Sequence, residues 1–181
     1  GKTQLINDIE LLLPKDLIKT NFTYIEPFVG SGAVLFWMLN NFPNMKKAVI
    51  NDINADLINT YKTIASKPNE LIALLDILQS EFHALEGNED NKKCYYYQKR
   101  ELYNLRSESQ IAQSALFLFL NRTCFNGLYR VNRKNEYNVP MGGYNKPTIC
   151  DKENILSVSQ ALQRVEILCG DYEETMNFAY N

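Results

Sequence analysis

The segment Glu26-Pro27-Phe28-Val29-Gly30-Ser31-Gly32 sets the architecture of this protein. It closes an apolar stretch, residues 22–28, that predicts a β-strand, and it opens an apolar stretch, residues 33–41, that predicts a helix. Two glycines two positions apart let the backbone pass close to a ligand, because no side chain stands in the way. The helix that follows offers free N–H groups and the positive end of its dipole. This strand, loop and helix predict the start of a parallel α/β sheet.

A carboxylate stands at the matching place after the next predicted strand, residues 48–50. Asp52 follows Gly32 by 20 residues. At the end of a parallel strand, such a carboxylate can accept hydrogen bonds from both ribose hydroxyls of a nucleoside. The dinucleotide pattern G-x-G-x-x-G is broken, since Leu35 occupies the third glycine position. The loop and the acid together favour a ligand with a nucleoside and no pyrophosphate, with S-adenosylmethionine as the leading candidate.

The other elements are predicted from apolar spacing, capping residues and turn residues. We expect further helices with boundaries near Pro68 and near residues 86–93. After residue 120 regular periodicity ends. Residues 66–150 therefore predict a lobe inserted into the α/β domain. The remaining predicted elements are a helix over residues 4–13, a helix capped by Asn54 or Asp56 that ends near Ala65, a helix over 110–120, hairpin strands over 128–131 and 136–139, a helix from Asp151 to about Gln163, and a strand over 165–169.

The charge of the chain is unevenly distributed. Residues 92–146 contain ten basic and three acidic residues, a net charge of +7, while the remaining residues carry a net charge of −9. The same basic stretch holds ten of the 21 aromatic residues. Basic charge interleaved with aromatic rings suits a nucleic-acid surface, because it neutralises phosphates and offers flat faces to bases. The alternative is a solvated helix face over a tyrosine-rich core.

The cysteines and the single histidine exclude several site chemistries. Cys94, Cys124, Cys150 and Cys169 lie far apart, and His83 is the only histidine, so we expect no metal site. Scattered free thiols and the absence of a signal peptide predict a cytoplasmic protein. The longest apolar stretches fall far short of the roughly 20 residues that span a bilayer, so we expect no membrane association.

Five sequence blocks together resemble the Dam-type DNA adenine-N6 methyltransferases, in the order of that family and over essentially the whole chain. The block Asn121-Arg122-Thr123-Cys124-Phe125-Asn126-Gly127 is the most diagnostic, because it has no generic structural meaning. The blocks are residues 1–5, 26–32, 51–54, 121–130 and 136–140. The resemblance implies an α/β fold, a Rossmann-like methyltransferase sheet that is incomplete in this chain, with an inserted, mainly helical target-recognition lobe and a β-hairpin.

The resemblance also implies a binding site for S-adenosyl-L-methionine as the methyl donor. Lys2 resembles the lysine that helps to hold the donor, and Asp52 resembles the ribose ligand. Ile53 would pack against the adenine of the donor, and Asp171 would meet its edge. The residues that resemble the loop around the methionine part of the donor are Glu26, Phe28, Gly30, Ser31 and Gly32.

The inserted lobe resembles a target-recognition domain for double-stranded DNA, with GATC as the usual target of the family. Arg130 can contact O6 and N7 of guanine in the major groove, unless it forms a surface salt bridge. Phe125 can fill the gap left by a flipped adenine and Asn126 can bind the orphaned base, although Phe125 and Leu128 can also pack in a core. Leu128 and Pro140 suit a thymine methyl group. The remaining predicted DNA contacts are Arg122, Arg133, Lys134 and Tyr144.

The sequence departs from the family pattern at two places. Gly143 stands where many relatives have a basic residue, so one phosphate contact is expected to be missing. The catalytic Asp-Pro-Pro-Tyr motif of the family is expected after the Asp171 region and does not occur among these residues. We therefore predict no catalytic residue in this chain and expect the motif beyond Asn181.

The sequence predicts a site-specific DNA methyltransferase that transfers a methyl group from S-adenosylmethionine to N6 of adenine in GATC. Residues 1–65 and 151–181 would form the donor-binding domain, and residues 66–150 the target-recognition domain. We expect a monomer, with a cognate restriction enzyme as a candidate partner. One alternative is a non-catalytic DNA-binding fragment of such an enzyme. Another is a P-loop NTPase, because Gly1-Lys2-Thr3 matches the end of a phosphate-binding loop.

Overall fold

The computed structural model describes residues 2–179, in which helices predominate over strands. None of the helices in this range is both long and apolar enough to cross a membrane. In chain order the elements are α1 (Ile6–Leu12), β1 (Phe22–Glu26), α2 (Ala33–Asn41), β2 (Met45–Ile50), α3 (Ala55–Ser66), α4 (Pro68–Ala84), α5 (Glu89–Leu105), α6 (Gln110–Thr123), α7 (Lys152–Leu162), β3 (Val165–Ile167) and α8 (Met176–Ala179). Short 3-10 turns occupy Lys2–Leu5, Leu17–Lys19, Phe125–Gly127 and Tyr172–Thr175.

The chain divides into two compact units. The first unit comprises the residues up to Lys62 and those from Val158 onward, and the second unit comprises Thr63–Ser157. The sequence places the two domain boundaries at 65/66 and 150/151, within seven residues of these divisions. The functions that the sequence assigns to the two stretches stay predictions.

The first unit is built on a three-stranded sheet in the order β1-β2-β3. Both strand pairs are parallel, so the predicted parallel α/β sheet is confirmed. The central strand β2 is the most buried, since Val49 and Ile50 are inaccessible to solvent. Leu35 of α2 and Ile58 of α3 are buried as well. Burying such apolar side chains provides the main free energy for folding.

Side-chain caps begin the helices that follow β2 and precede β3. The Asn54 carboxamide oxygen accepts hydrogen bonds from the backbone N–H groups of Asp56 and Leu57, at 3.1 and 3.2 Å. Asn54 is therefore the cap of α3. Before α7, Asp151 Oδ1 accepts from the backbone N–H of Asn154 at 3.2 Å. Each cap satisfies donors that have no partner inside the helix.

The predicted helix over residues 4–13 is shorter than expected. It divides into the 3-10 turn Lys2–Leu5 and the seven-residue helix α1. The helix ends because Leu13 is extended, with ψ of 146°, the conformation that the following Pro14 imposes on its predecessor. Its apolar spacing predicts a buried face, but α1 has no buried residue and Leu12 is 84% exposed.

The second unit has a helical core with aromatic side chains at its centre. Phe82 of α4 and Phe119 of α6 meet edge to face, with ring centroids 5.6 Å apart. Two tyrosines of α5 are completely buried: Tyr96, whose ring centroid lies 6.4 Å from that of Phe119, and Tyr103. Edge-to-face contacts add stabilisation beyond the burial of the rings.

The predicted hairpin strands are not regular strands in the structure. Only one antiparallel bridge, Val131 to Tyr137, is formed between them in the described chain. Two backbone hydrogen bonds flank this bridge, from Asn138 to Arg130 and from Asn132 to Glu136. Side chains bind other backbone groups, because Asn104 binds the N–H and carbonyl of Tyr137 and Asn132 Oδ1 accepts from the N–H of Glu136. Local bonds of this kind compete with sheet formation.

Candidate functional site

In the first unit, hydrogen bonds hold the loops at the carboxyl ends of the three strands together. The N–H of Val29 donates to the carbonyl of Asn51, and the N–H of Asn51 donates to the carbonyl of Glu26, each at 2.9 Å. The N–H of Gly170 donates to the carbonyl of Asp52 at 3.2 Å. The carboxyl edge of a parallel sheet is the common place for ligands in α/β proteins.

The glycine loop adopts a conformation that favours glycine at two positions. Gly30 and Gly32 have φ values of 53° and 77°. A Cβ atom at Gly32 would lie 2.6 Å from the Tyr61 hydroxyl oxygen and 2.7 Å from the Phe36 ring, whereas a Cβ at Gly30 would meet no atom within 4 Å. The Tyr61 hydroxyl also donates to the Gly30 carbonyl at 2.9 Å. The absence of a side chain at Gly32 therefore lets Tyr61 and Phe36 pack closely, whereas the space beside Gly30 is open to a ligand.

Asp52 is fixed by backbone groups on both sides. Its Oδ2 accepts from the N–H of Gly30 and its Oδ1 accepts from the N–H of Asn54, both at 3.0 Å. The structure thus brings together the predicted pair of Gly30 and Asp52. A carboxylate has about four lone-pair sites, so two bonds leave capacity for the hydroxyl groups of a ligand.

A buried carboxylate lies below the loop. Glu26 is only 6% exposed, and its Oε1 is 2.6 Å from Lys2 Nζ. Lys2 Nζ also donates to the carbonyl of Phe28. The Tyr24 hydroxyl donates to Glu26 Oε2 at 2.8 Å. Burial, followed by the charge of Glu26, raises the pKa of Tyr24 and Tyr61 well above the ordinary value. Both phenols therefore remain neutral hydrogen-bond donors at physiological pH.

Asn51 links the loops after β1 and β3. Its side chain is buried, and Nδ2 lies 3.0 Å from the carbonyl oxygen of Gly170, 3.2 Å from that of Pro27 and 3.3 Å from that of Asp171. Its Oδ1 is buried without a hydrogen-bond partner in the described chain. Asn51 thus places Asp171 close to the glycine loop.

Three of the exposed large apolar side chains of this unit lie in the loops that follow the strands. Phe28 is 62% exposed, Ile53 is 78% exposed and Tyr172 is 48% exposed. The rings of Phe28 and Tyr172 have centroids 6.0 Å apart. Of the remaining predicted residues, Ser31 is exposed, and Asp171 Oδ1 accepts from the N–H of Glu173 at 3.1 Å. Exposed aromatic and aliphatic surface beside a fixed carboxylate fits a nucleoside, because a base is flat and a ribose is polar.

In the second unit, every residue that the sequence predicts to contact DNA is exposed. Phe125 and Leu128 are 51% and 48% exposed, so the alternative that they pack in a core is wrong. Arg130 bonds to Asn138, and it forms no salt bridge among the described residues. The other exposed members of the predicted set are Arg122, Asn126, Arg133, Lys134, Pro140 and Tyr144.

Backbone hydrogen bonds bring part of this set together. The N–H of Phe125 donates to the carbonyl of Pro140 at 2.9 Å, and the N–H of Gly142 donates to the carbonyl of Thr123 at 2.8 Å. Asn126 has a φ of 54°, a left-handed conformation that asparagine tolerates better than most residues. Phe125, Asn126 and Pro140 therefore share one corner of the unit.

Side chains of helix α5 bind the segment 137–145, which follows the turn at residues 133–135. Four of its side chains, spaced four residues apart, donate to backbone carbonyls between residues 137 and 145. The contacts are Lys92 Nζ to Asn145 at 3.0 Å, the Tyr96 hydroxyl to Val139 at 2.9 Å, Arg100 NH1 to Val139 at 3.2 Å and Asn104 Nδ2 to Tyr137 at 3.0 Å. We call these four residues the α5 stripe. Residues four apart lie on one helix face, so one face fixes the whole segment.

The sequence alone did not identify Asn51, Tyr61 or the α5 stripe. The four-residue spacing of the stripe is visible in the sequence, but its polar members look like a solvated face. Asn51 and Tyr61 act through contacts with residues far away in the chain, which no local pattern predicts.

The sequence of this chain matches a known family and several curated proteins. The family model described as "D12 class N6 adenine-specific DNA methyltransferase" matches residues 1–181. The type II methyltransferase M.MjaIII of Methanocaldococcus jannaschii is 47% identical over 176 residues, which cover 96% of this chain and 60% of that protein. The DNA adenine methylase of Haemophilus influenzae is 36% identical, over 99% of this chain and 57% of that protein. The DNA adenine methylase of Escherichia coli K12 is 33% identical, over 97% and 56%. The chain therefore spans a little over half the length of these relatives.

Proposed function

This chain belongs to the D12 class of N6 adenine-specific DNA methyltransferases, and from that premise we propose that it binds S-adenosylmethionine in its first unit and recognises GATC in double-stranded DNA with its second unit. The whole protein would transfer the methyl group of the donor to N6 of adenine. One observation carries this proposal: the Asp52 carboxylate is fixed beside the open glycine loop and keeps lone pairs for a ribose.

The residues of the first unit fit the proposed donor. Asp52 would bind the ribose hydroxyls, and the exposed Ile53 would cover one face of the adenine. Lys2, Phe28, Gly30, Ser31 and Gly32 would surround the methionine part, Glu26 would hold Lys2, and Asp171 would meet the adenine edge. The bound donor supplies an electrophilic methyl group on its sulfonium. The chain itself supplies binding and orientation, which convert a bimolecular reaction into an effectively intramolecular one.

The residues of the second unit fit a duplex in two ways. Arg122, Arg133 and Lys134 are exposed cations that would bind phosphates and fix the register of the protein on DNA. Arg130, Leu128 and Pro140 would contact base edges in the major groove, and Tyr144 would contact the sugar-phosphate backbone of the DNA. Phe125 would fill the gap that a flipped adenine leaves, and Asn126 would bind the orphaned partner base. The monomeric state, the cytoplasmic location and a cognate restriction enzyme remain predictions from the sequence.

The two alternatives are not favoured. Gly1 of the candidate P-loop lies outside the described residues, and the ammonium of Lys2 is engaged by Glu26 and by the carbonyl of Phe28. A P-loop NTPase would also leave the glycine loop and the fixed Asp52 carboxylate without a role. The other alternative, a non-catalytic DNA-binding fragment of such an enzyme, is not favoured, because the family model covers residues 1–181 and the relatives are named as methyltransferases.

The ribose role of Asp52 can be tested by calorimetry with S-adenosylhomocysteine and its 2′-deoxy analogue. Removing hydrogen bonds to a charged group costs about 1.5–3 kcal/mol, so Asp52→Ala should weaken binding of the full ligand by roughly 10- to 150-fold. The wild type should prefer the full ligand over the deoxy analogue, and Asp52→Ala should not. Equal affinities of the wild type for both ligands would exclude a contact with the 2′-hydroxyl, and an unchanged affinity of Asp52→Ala for the full ligand would exclude the ribose role.

Activity of the whole protein can be tested by transfer of label from tritiated S-adenosylmethionine. A duplex with one GATC site should accept label, and the same duplex methylated at N6 on both strands should not. Label on both duplexes, or on neither, would contradict the proposed reaction.

A further inference from the structure

Arg130 and Asn138 face each other across the turn and form three hydrogen bonds. The N–H of Asn138 donates to the carbonyl of Arg130 at 3.2 Å. Arg130 Nε donates to Asn138 Oδ1 at 2.7 Å, and Arg130 NH2 lies 3.4 Å from the carbonyl oxygen of Asn138. The backbone contact sets the register, and the two side-chain contacts set the orientation of the guanidinium.

These contacts leave one edge of the guanidinium free. A guanidinium has five N–H donors, one on Nε and two on each terminal nitrogen. Asn138 engages Nε and one N–H of NH2, while NH1 has no hydrogen-bond partner among residues 2–179. The free edge formed by NH1 and NH2 is one that can bind O6 and N7 of a guanine together.

The residues on either side of Asn138 are fixed by burial and by hydrogen bonds to their backbone groups. Its neighbours Tyr137 and Val139 are 3% and 1% exposed, whereas Asn138 is half-buried. Asn104 of the α5 stripe binds both backbone groups of Tyr137, at 2.8 and 3.0 Å. Tyr96 and Arg100 of the stripe bind the carbonyl of Val139. The backbone at Asn138 therefore has little freedom to shift.

We propose that Asn138 is a positioning residue for DNA recognition, which orients Arg130 toward a guanine through the bond from Nε to Oδ1. This inference rests on the proposed function, because Arg130 must contact a base for its orientation to matter. An arginine side chain that is already ordered loses less conformational freedom on binding, and this saving increases affinity for the base that it reads.

The test is fluorescence anisotropy on two duplexes, one with GATC and one in which 7-deazaguanine replaces guanine and so removes N7. The dissociation constant for the 7-deazaguanine duplex, divided by that for the GATC duplex, measures how strongly the protein recognises guanine N7. We expect Arg130→Ala to lower this ratio by roughly 5- to 150-fold, where the wild-type ratio allows, and Asn138→Ala to lower it by about 2- to 10-fold. Asn138→Asp should retain the ratio, because a carboxylate still accepts from Nε, even if its charge weakens binding to both duplexes.

The double variant distinguishes positioning from direct contact. In the Arg130→Ala background, Asn138→Ala should leave the ratio unchanged, since there is no guanidinium left to orient. A further fall in the double variant would overturn the inference in favour of direct readout by Asn138. An unchanged ratio in the single Asn138→Ala variant would overturn it while leaving Arg130 as the reader. An unchanged ratio in Arg130→Ala would overturn both the base contact and the inference. Thermal unfolding of each variant checks that the fold persists.

Discussion

Gly143 is a position where the proposed DNA surface has room for a side chain. A Cβ atom at Gly143 would meet no atom within 4 Å, and its φ needs no glycine. The neighbouring Gly142 differs, because a Cβ there would lie 2.6 Å from the Tyr144 ring and 2.7 Å from the Cys124 carbonyl oxygen. Gly142 is therefore required by packing, and Gly143 is free to change.

Gly143→Arg should increase DNA affinity by adding a phosphate contact. Each phosphate neutralised contributes about −0.9 to the slope of log affinity against log salt, so the slope should steepen by about one. Gly143→Gln is the matched control, because it adds a side chain of similar length without charge. Anisotropy titrations between 50 and 200 mM salt measure both slopes. An unchanged slope for Gly143→Arg would mean that this position does not face the duplex.

Single residues of the first site were predictable where the backbone required them. Positive φ at Gly30 and Gly32 follows from a tight strand-to-helix turn, and Asp52 follows from its place after β2. Asn51 and Tyr61 were not predictable, because their partners are a loop about 120 residues away and a carbonyl 31 residues away. Long-range contacts between side chain and backbone have no signature in local sequence.

At the scale of elements, side chains of α5 form hydrogen bonds with backbone groups that would pair with a neighbouring strand in a sheet. The α5 stripe provides donors that neighbouring strands would otherwise provide to residues 137–145. Asn104 does so most completely, since its carboxamide accepts from the N–H of Tyr137 and donates to its carbonyl. The recognition segment is thereby ordered without being a regular strand.

Asn104→Ala should loosen this segment. Two buried backbone groups of Tyr137 would lose their partners, at a cost of about 1–3 kcal/mol each where water cannot replace them. Gln98→Ala is the matched control, because Gln98 is exposed on the same helix and its Nε2 contacts only Cys94 Sγ in the described chain. Hydrogen-exchange mass spectrometry should show faster exchange over residues 135–145 in Asn104→Ala and not in Gln98→Ala. Equal exchange in both variants would contradict the role of the stripe.

The elements differ in how far the sequence predicts them. Helix α2 has the predicted bounds, because an uninterrupted apolar run follows a glycine loop. The predicted hairpin strands did not form as regular strands: only residues 136–139 alternate between buried and less buried side chains, and part of their backbone binds side chains of α5 and Asn132. The group that accepts each hydrogen bond depends on tertiary contacts, which a local sequence pattern does not contain.

At the scale of the whole molecule, buried tyrosines link stability to alkaline pH. Burial, ahead of any charge effect, raises the pKa of five tyrosines well above the ordinary 10.0: Tyr24, Tyr61, Tyr95, Tyr96 and Tyr137. They lie in both units, two in the first and three in the second. Unfolding restores the ordinary pKa, so above pH 10 the unfolded chain releases protons that the folded protein retains.

The free energy of unfolding should therefore be insensitive to these groups below about pH 10 and should fall as the pH rises further. Each group contributes a slope of about 1.4 kcal/mol per pH unit where only the unfolded state is ionised. Tyr96→Phe should make the fall shallower by up to this amount. Urea unfolding between pH 8 and pH 11.5 measures the slopes. Identical slopes for the wild type and Tyr96→Phe would show that Tyr96 titrates normally in the folded protein.

The central strand β2 has its second neighbour, β3, on the far side of residues 51–164. A ribosome that adds 5–20 residues per second needs roughly 6 to 23 s to pass from the end of β2 to the start of β3. During that interval one edge of a strand whose second half, residues 48–50, is apolar and buried has no partner, and open edges of this kind seed aggregation. The helical second unit is made in the same interval and relies on more local contacts. The yield of folded protein in a cell therefore depends on how promptly translation reaches β3.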